Sequence, residues 1–68
     1  MSDHVYKLIE VVGSSTTSSD DAIRNAITKA SESLDNVGWF EVQQTRGHVE
    51  NGEIAHFQVI VKVGFRLD

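Results

Sequence analysis

At 68 residues, with six Lys and Arg against ten Asp and Glu and a formal net charge of -4, the chain has the wrong sign for holding phosphate backbones by counterion release, which argues against a nucleic-acid partner. A domain this short buries only about 60% of the surface its unfolded chain exposes and needs a staple. With no cysteine and three histidines, disulfides are excluded and a structural metal lacks an obvious ligand set, so oligomerisation is the staple that remains.

The start, Met1-Ser2-Asp3-His4-Val5-Tyr6-Lys7, has no basic segment running into an apolar one, and no window approaches the roughly 20 apolar residues of a membrane span. One domain over residues 1–68 of a soluble cytoplasmic protein is expected, with no membrane partner. Val5 to Gly13 is rich in β-branched residues and reads as a strand, followed by the polar loop Ser14-Ser15-Thr16-Thr17-Ser18-Ser19. Val5, Ile9 and Val11 lie on one face of this strand and Tyr6, Leu8 and Val12 on the other. The pattern leaves the strand unoriented and implies that both faces are covered.

Ser18 and Asp21 have the spacing of a capping box, with Asp in place of Glu, and Asp20 and Asp21 put negative charge at the positive end of a helix. From there Ala22, Ile23, Ala26, Ile27, Ala30, Leu34 and Val37 recur at three- and four-residue steps, with Arg24, Lys29, Glu32 and Asp35 elsewhere on the wheel. The spacing predicts an amphipathic helix from near Asp20 to Asn36-Val37-Gly38, closed by Gly38 in the αL conformation. Its small apolar residues permit close approach to a sheet.

Two further strands follow, one opened by Gly38-Trp39-Phe40-Glu41-Val42 and the other running to Phe65, joined at Asn51-Gly52. A two-residue type I′ turn there sets Glu50 against Glu53, Val42 against Val61 and Phe40 against Val63. Ala55, Phe57, Val59, Val61, Val63 and Phe65 then form one apolar face for the helix, whereas a one-residue slip would send apolar side chains to the wrong face. Strand order 1-3-2 makes every neighbour antiparallel. The expected fold is a two-layer α+β unit, β-α-β-β, with a three-stranded antiparallel sheet.

The outer face carries Trp39, Glu41, Gln43 and Thr45 opposite Gly64, Lys62, Ile60 and Gln58. Trp39 across from Gly64 has two readings: an indole that covers bare strand backbone or plugs a subunit contact, or a stacking platform for a planar ring. In the second, an amide such as Gln58 matches donor and acceptor atoms on the ring's edge. Gln58 is six residues from the position facing Trp39, roughly 20 Å at about 3.3 Å per residue. Both can act on one ligand only in a site assembled from neighbouring copies.

The same register places His48 opposite Ala55 and His56 opposite Gly47, on opposite faces, so within one chain they share no ion; surface or interface histidines are the expectation, and no metal site is assigned. Nucleophilic catalysis lacks its groups: there is no Cys, and no G-x-S-x-G elbow. A small enzyme built on His48 or His56 with Glu53 ranks last, and the chain is expected to be non-enzymatic. Arg46 and Arg66 are candidates for holding a phosphate or carboxylate, against the default of solvated surface arginines.

The set Val5-Tyr6-Lys7, Val12-Gly13-Ser14-Ser15, Trp39-Phe40-Glu41-Val42, Arg46-Gly47-His48, Ala55-His56-Phe57-Gln58-Val59 and Lys62-Val63-Gly64-Phe65 resembles the dodecins, a family of small flavin-binding proteins. The resemblance runs nearly end to end. It implies a sheet wrapped around the helix and a hollow homododecamer of cubic type, with flavins bound in pairs between subunits. It further implies an isoalloxazine stacked on Trp39, its pyrimidine edge hydrogen-bonded by Gln58, and Arg46 near the ribityl or phosphate tail. Arg46-Gly47-His48 is closer to bacterial members, which favour FMN over riboflavin or FAD and some of which also bind coenzyme A. The implied role is flavin storage and photoprotection; the alternative is a structural or interaction oligomer in which Trp39 is an interface anchor and flavin is incidental.

Overall fold

A computed structural model describes residues 3–67, which form β1 (Val5–Ser15), α1 (Ser19–Ser33), β2 (Val37–Glu50) and β3 (Glu53–Leu67). Ser18 caps α1 from an extended backbone, its hydroxyl accepting from the Asp21 N–H at 3.0 Å, and Asp20 and Asp21 sit in the first turn against the helix dipole. The cap is anchored to the sheet by Ser15. The buried Ser15 Oγ donates to Asp21 Oδ2 at 2.7 Å and accepts from the N–H groups of Thr17 and Ser18 at 2.9 and 3.4 Å. Ser15→Ala strands all three partners and is expected to cost about 1–2 kcal/mol, read as a lower urea midpoint at fixed protein concentration; an unchanged midpoint would mean that water replaces the hydroxyl freely.

The helix ends earlier than the periodicity suggests, at Ser33. Leu34 is the C-cap, its N–H still bonded to the Ala30 carbonyl at 3.0 Å. The αL position belongs to Asn36, with φ of 64°, and not to Gly38. Asparagine tolerates αL because its short side chain bonds locally, and Gly38 is left as the extra residue of a bulge between Val37 and Trp39. The Asn36 carbonyl accepts from the Arg66 N–H at 3.2 Å, tying this junction to the end of β3.

The sheet order is β1-β3-β2, all antiparallel. β1 pairs with β3 without interruption from Val5 opposite Leu67 to Ser15 opposite Phe57. This ladder orients the first strand: Ile9 and Val11 pack toward the helix, while Tyr6, Leu8 and Val12 face outward and remain exposed. The core is Val59, Val61 and Val63, fully buried beneath Ala22, Ala26 and Ala30. α1 lies over β1 and β3 and barely reaches β2, so Phe40 and Val42 on the helix side of β2 are still 47% and 44% exposed. Both faces of the sheet therefore carry apolar side chains that one subunit does not cover, as expected of a chain stabilised by association.

Asn51 and Gly52 both have positive φ, 52° and 76°, which is the type I′ turn, and Glu50 faces Glu53. Val42 opposite Val61 and Trp39 opposite Gly64 also agree with the sequence register. Between these ends the register differs. An extra residue on β2, Gln43, and a compensating one on β3, Ala55, slip the middle of the hairpin by one position, so that Gln44 faces Ile60, Arg46 faces Gln58 and His48 faces His56. Each bulge sends the following side chains to the other face.

Candidate functional site

The outer face reads as a ladder of cross-strand rows from β1 through β3 to β2. Leu8, Gly64 and Trp39 form the first row, then Glu10, Lys62 and Glu41, then Val12, Ile60 and Gln44, then Ser14, Gln58 and Arg46, and last His56 with His48 beyond the end of β1. An apolar, aromatic end is thus separated from a polar end by a charged row and by the row of Val12, Ile60 and Gln44.

At the aromatic end Gly64 is the condition for the geometry. A Cβ at this position would fall among the indole atoms Cε2, Cζ2 and Cδ2 of Trp39, so the ring lies directly on the Gly64 backbone. Tyr6 meets it edge-on, with centroids 5.3 Å apart and planes at 73°, a favoured aromatic arrangement. The indole is thereby backed by Gly64 and packed against Tyr6, yet Trp39 is still 39% exposed. The exposed part of the indole offers flat, electron-rich surface to a planar partner.

At the polar end the bulge at Gln43 brings Arg46 to the outer face, where its Nε donates to Gln58 Oε1 at 3.1 Å. The sequence register set Gln58 against Thr45, and that pairing is wrong; Gln43 and Thr45 also lose their outer-face places to Gln44 and Arg46. The correction joins two predicted site residues. With Oε1 accepting from the guanidinium, the carboxamide keeps its NH₂ group and one further lone pair on the oxygen for another partner. Trp39 is not part of this group: Gln58 is six residues along β3 from Gly64, about 20 Å away.

The two histidines, expected on opposite faces, stack instead, with ring centroids 5.4 Å apart and planes at 20°. The bulge at Ala55 is the reason, since it moves His56 from Gly47 to His48. Three grooves of the described residues are lined by neither Trp39 nor Gln58. One groove, about 660 Å³, lies between β1 and α1 and is lined by Ile9, Val11, Asn25 and Ala26 among others, away from Trp39 and Gln58. An aromatic ring placed on Trp39 is therefore covered on its second face only by another molecule. Among the described residues no helix is long and apolar enough to cross a membrane.

Residues 5–68 match the family model described as Dodecin. The chain is 39% identical to the dodecin of Thermus thermophilus over 64 residues, covering 94% of this chain and 93% of that one. Its fold is similar to the solved dodecin of Streptomyces coelicolor, with a TM-score of 0.95, 53% identity and coverage of 100% and 97% of the two chains. The dodecin from Streptomyces davaonensis gives 0.94 and 52%, with 98% of each chain covered. Sequence and fold agree over the whole described length, and the chain belongs to the dodecin family of small flavin-binding proteins.

Proposed function

We propose that this chain stores FMN and protects it from photochemistry, without catalysing a reaction, at sites completed by neighbouring copies in a hollow homododecamer. The observation that carries the reading is the indole of Trp39, laid on Gly64, packed against Tyr6 and still 39% exposed. An isoalloxazine stacked there gains aromatic contact on a surface that needs no reordering. Gln58, contributed by a different copy because of the 20 Å separation estimated from strand rise, supplies an oriented amide to the pyrimidine edge, which offers both acceptors and an N–H.

Arg46 has two parts in this reading. It holds the Gln58 amide in one orientation, and as a permanent cation on the same face it favours the phosphate of FMN over uncharged riboflavin. Trp39 accounts for the protection: it donates an electron to the light-excited ring and takes it back, so the excitation ends without emission or bond chemistry. No general acid or base is required. The exposed Phe40 and Val42 beside α1, and Leu8 and Val12 outside, supply the apolar surface for self-association.

A second reading draws on the same contact: an indole that covers a strand glycine is also a good interface anchor, with flavin incidental. Titrating apo-protein into dilute FMN and riboflavin and following flavin emission tests the proposal. Strong quenching that saturates near one flavin per chain, tighter for FMN, is the expected result; coenzyme A, which some dodecins bind, is added as a competitor. Emission that stays unchanged with both flavins removes the stacked site and leaves the interface role.

A further inference from the structure

We propose that His48, His56 and Glu50, at the free end of the β2–β3 hairpin, form a binding site for one borderline divalent transition-metal ion, of the Zn²⁺, Ni²⁺ or Cu²⁺ class. The flavin reading makes no use of these residues. The hairpin end projects past the last β1 pairing, Ser15 with Phe57, so neither β1 nor the helix covers it. The two bulges that cancel along the hairpin have one outcome there: two imidazoles directly across from each other, stacked with centroids 5.4 Å apart.

The distances approach those of a ligand set. His48 Nε2 and Glu50 Oε2 are 3.6 Å apart, and two ligands bound at about 2.0–2.1 Å to one tetrahedral ion lie about 3.3–3.4 Å from each other. A closure of a few tenths of an ångström lets both bind the same ion. Among the described residues no three such groups already converge, so the third ligand comes from a turn of the His56 ring out of its stack. His48 is exposed and His56 half-buried, which leaves the fourth position to water, as in open zinc sites.

Charge points the same way. Glu50 and Glu53 oppose each other across the turn, a like-charge cross-strand pair that destabilises a hairpin unless something neutralises it. The nearest cation along this face, Arg46, is engaged with Gln58. A divalent ion bound beside Glu50 relieves the repulsion and braces the two strands. Imidazole as the majority donor selects zinc, nickel or copper over calcium and magnesium, which favour oxygen sets.

The test uses the assembled protein stripped with a chelator and titrated with Zn²⁺ at neutral pH by calorimetry. One ion per chain is expected, with His48→Gln and His56→Gln each weakening binding at least about tenfold, and excess Ca²⁺ failing to compete. Both variants should still quench FMN, which shows that they fold and assemble. Cu²⁺ as a second probe should show two nitrogen couplings by electron paramagnetic resonance in the unaltered protein and one in each variant. No bound Zn²⁺, or an affinity unchanged by both substitutions, overturns the site.

Discussion

With FMN stored as proposed, Trp39→Ala is expected to restore most of the quenched flavin emission and to weaken FMN binding on the order of thirtyfold, about 2 kcal/mol. The magnitude follows from the contact that is lost. An indole held flat on Gly64 and braced by Tyr6 binds a planar ring without first losing rotamer freedom, so stacking and apolar burial appear almost entirely as affinity. Trp39→Phe separates the two effects. A phenyl ring still stacks but is a far poorer electron donor, so emission should return largely while affinity falls less than in the alanine variant.

The same substitution decides between storage and scaffold. If Trp39 is an interface anchor with flavin incidental, its removal breaks the assembly, and sedimentation of Trp39→Ala shows small species with or without flavin. If it is a flavin platform, the oligomer persists, because Phe40, Val42, Leu8 and Val12 still offer apolar surface to neighbouring copies. An intact assembly with unchanged affinity and quenching would rule out the stacking site.

The helix face, the strand order and the type I′ turn were legible because each rests on a strong local signal: alanines and isoleucines at helical spacing, a continuous alternating strand from Phe57 to Phe65, and Asn-Gly between two extended runs. The middle of the hairpin was not. Gln43-Gln44-Thr45 on one strand carries no alternation of apolar and polar residues, and Ile54-Ala55 on the other is apolar twice in succession, so the pattern that fixes register elsewhere is silent where the bulges occur. The two slips cancel, which is why agreement at Val42 with Val61 and at Glu50 with Glu53 concealed them. Their effect on the site is large, since they place Arg46 on Gln58 and His48 on His56. Trp39 and Gln58 were singled out because an exposed aromatic stands out on a short sheet and an amide on the same face can match the edge of a planar ring. The Arg46 contact depended on register and could not be read from spacing.

Gly13→Ala is expected to destabilise the subunit by about 3 kcal/mol or more, beyond the usual range for overpacking. A Cβ at Gly13 would collide with the Ala22 carbonyl oxygen and lie 2.9 Å from the Ala26 Cβ. The obstruction is helix backbone, so no rotamer change relieves it. The helix must lift from the sheet, withdrawing Ala22 and Ala26 from Val59, Val61 and Val63, and these five residues with Ala30 make up the buried hydrophobic core of the described residues. A chain of 68 residues has little reserve against such a loss. Gly38→Ala is the matched control: nothing lies within 4 Å of a Cβ there and its φ is not positive, so it should be neutral or stabilising by up to about 1 kcal/mol through the unfolded chain. Urea midpoints at one protomer concentration compare the two. Equal destabilisation would mean that the cost lies in strand backbone freedom and not in the approach of α1 to β1, and the small-residue face of the helix would then need another explanation.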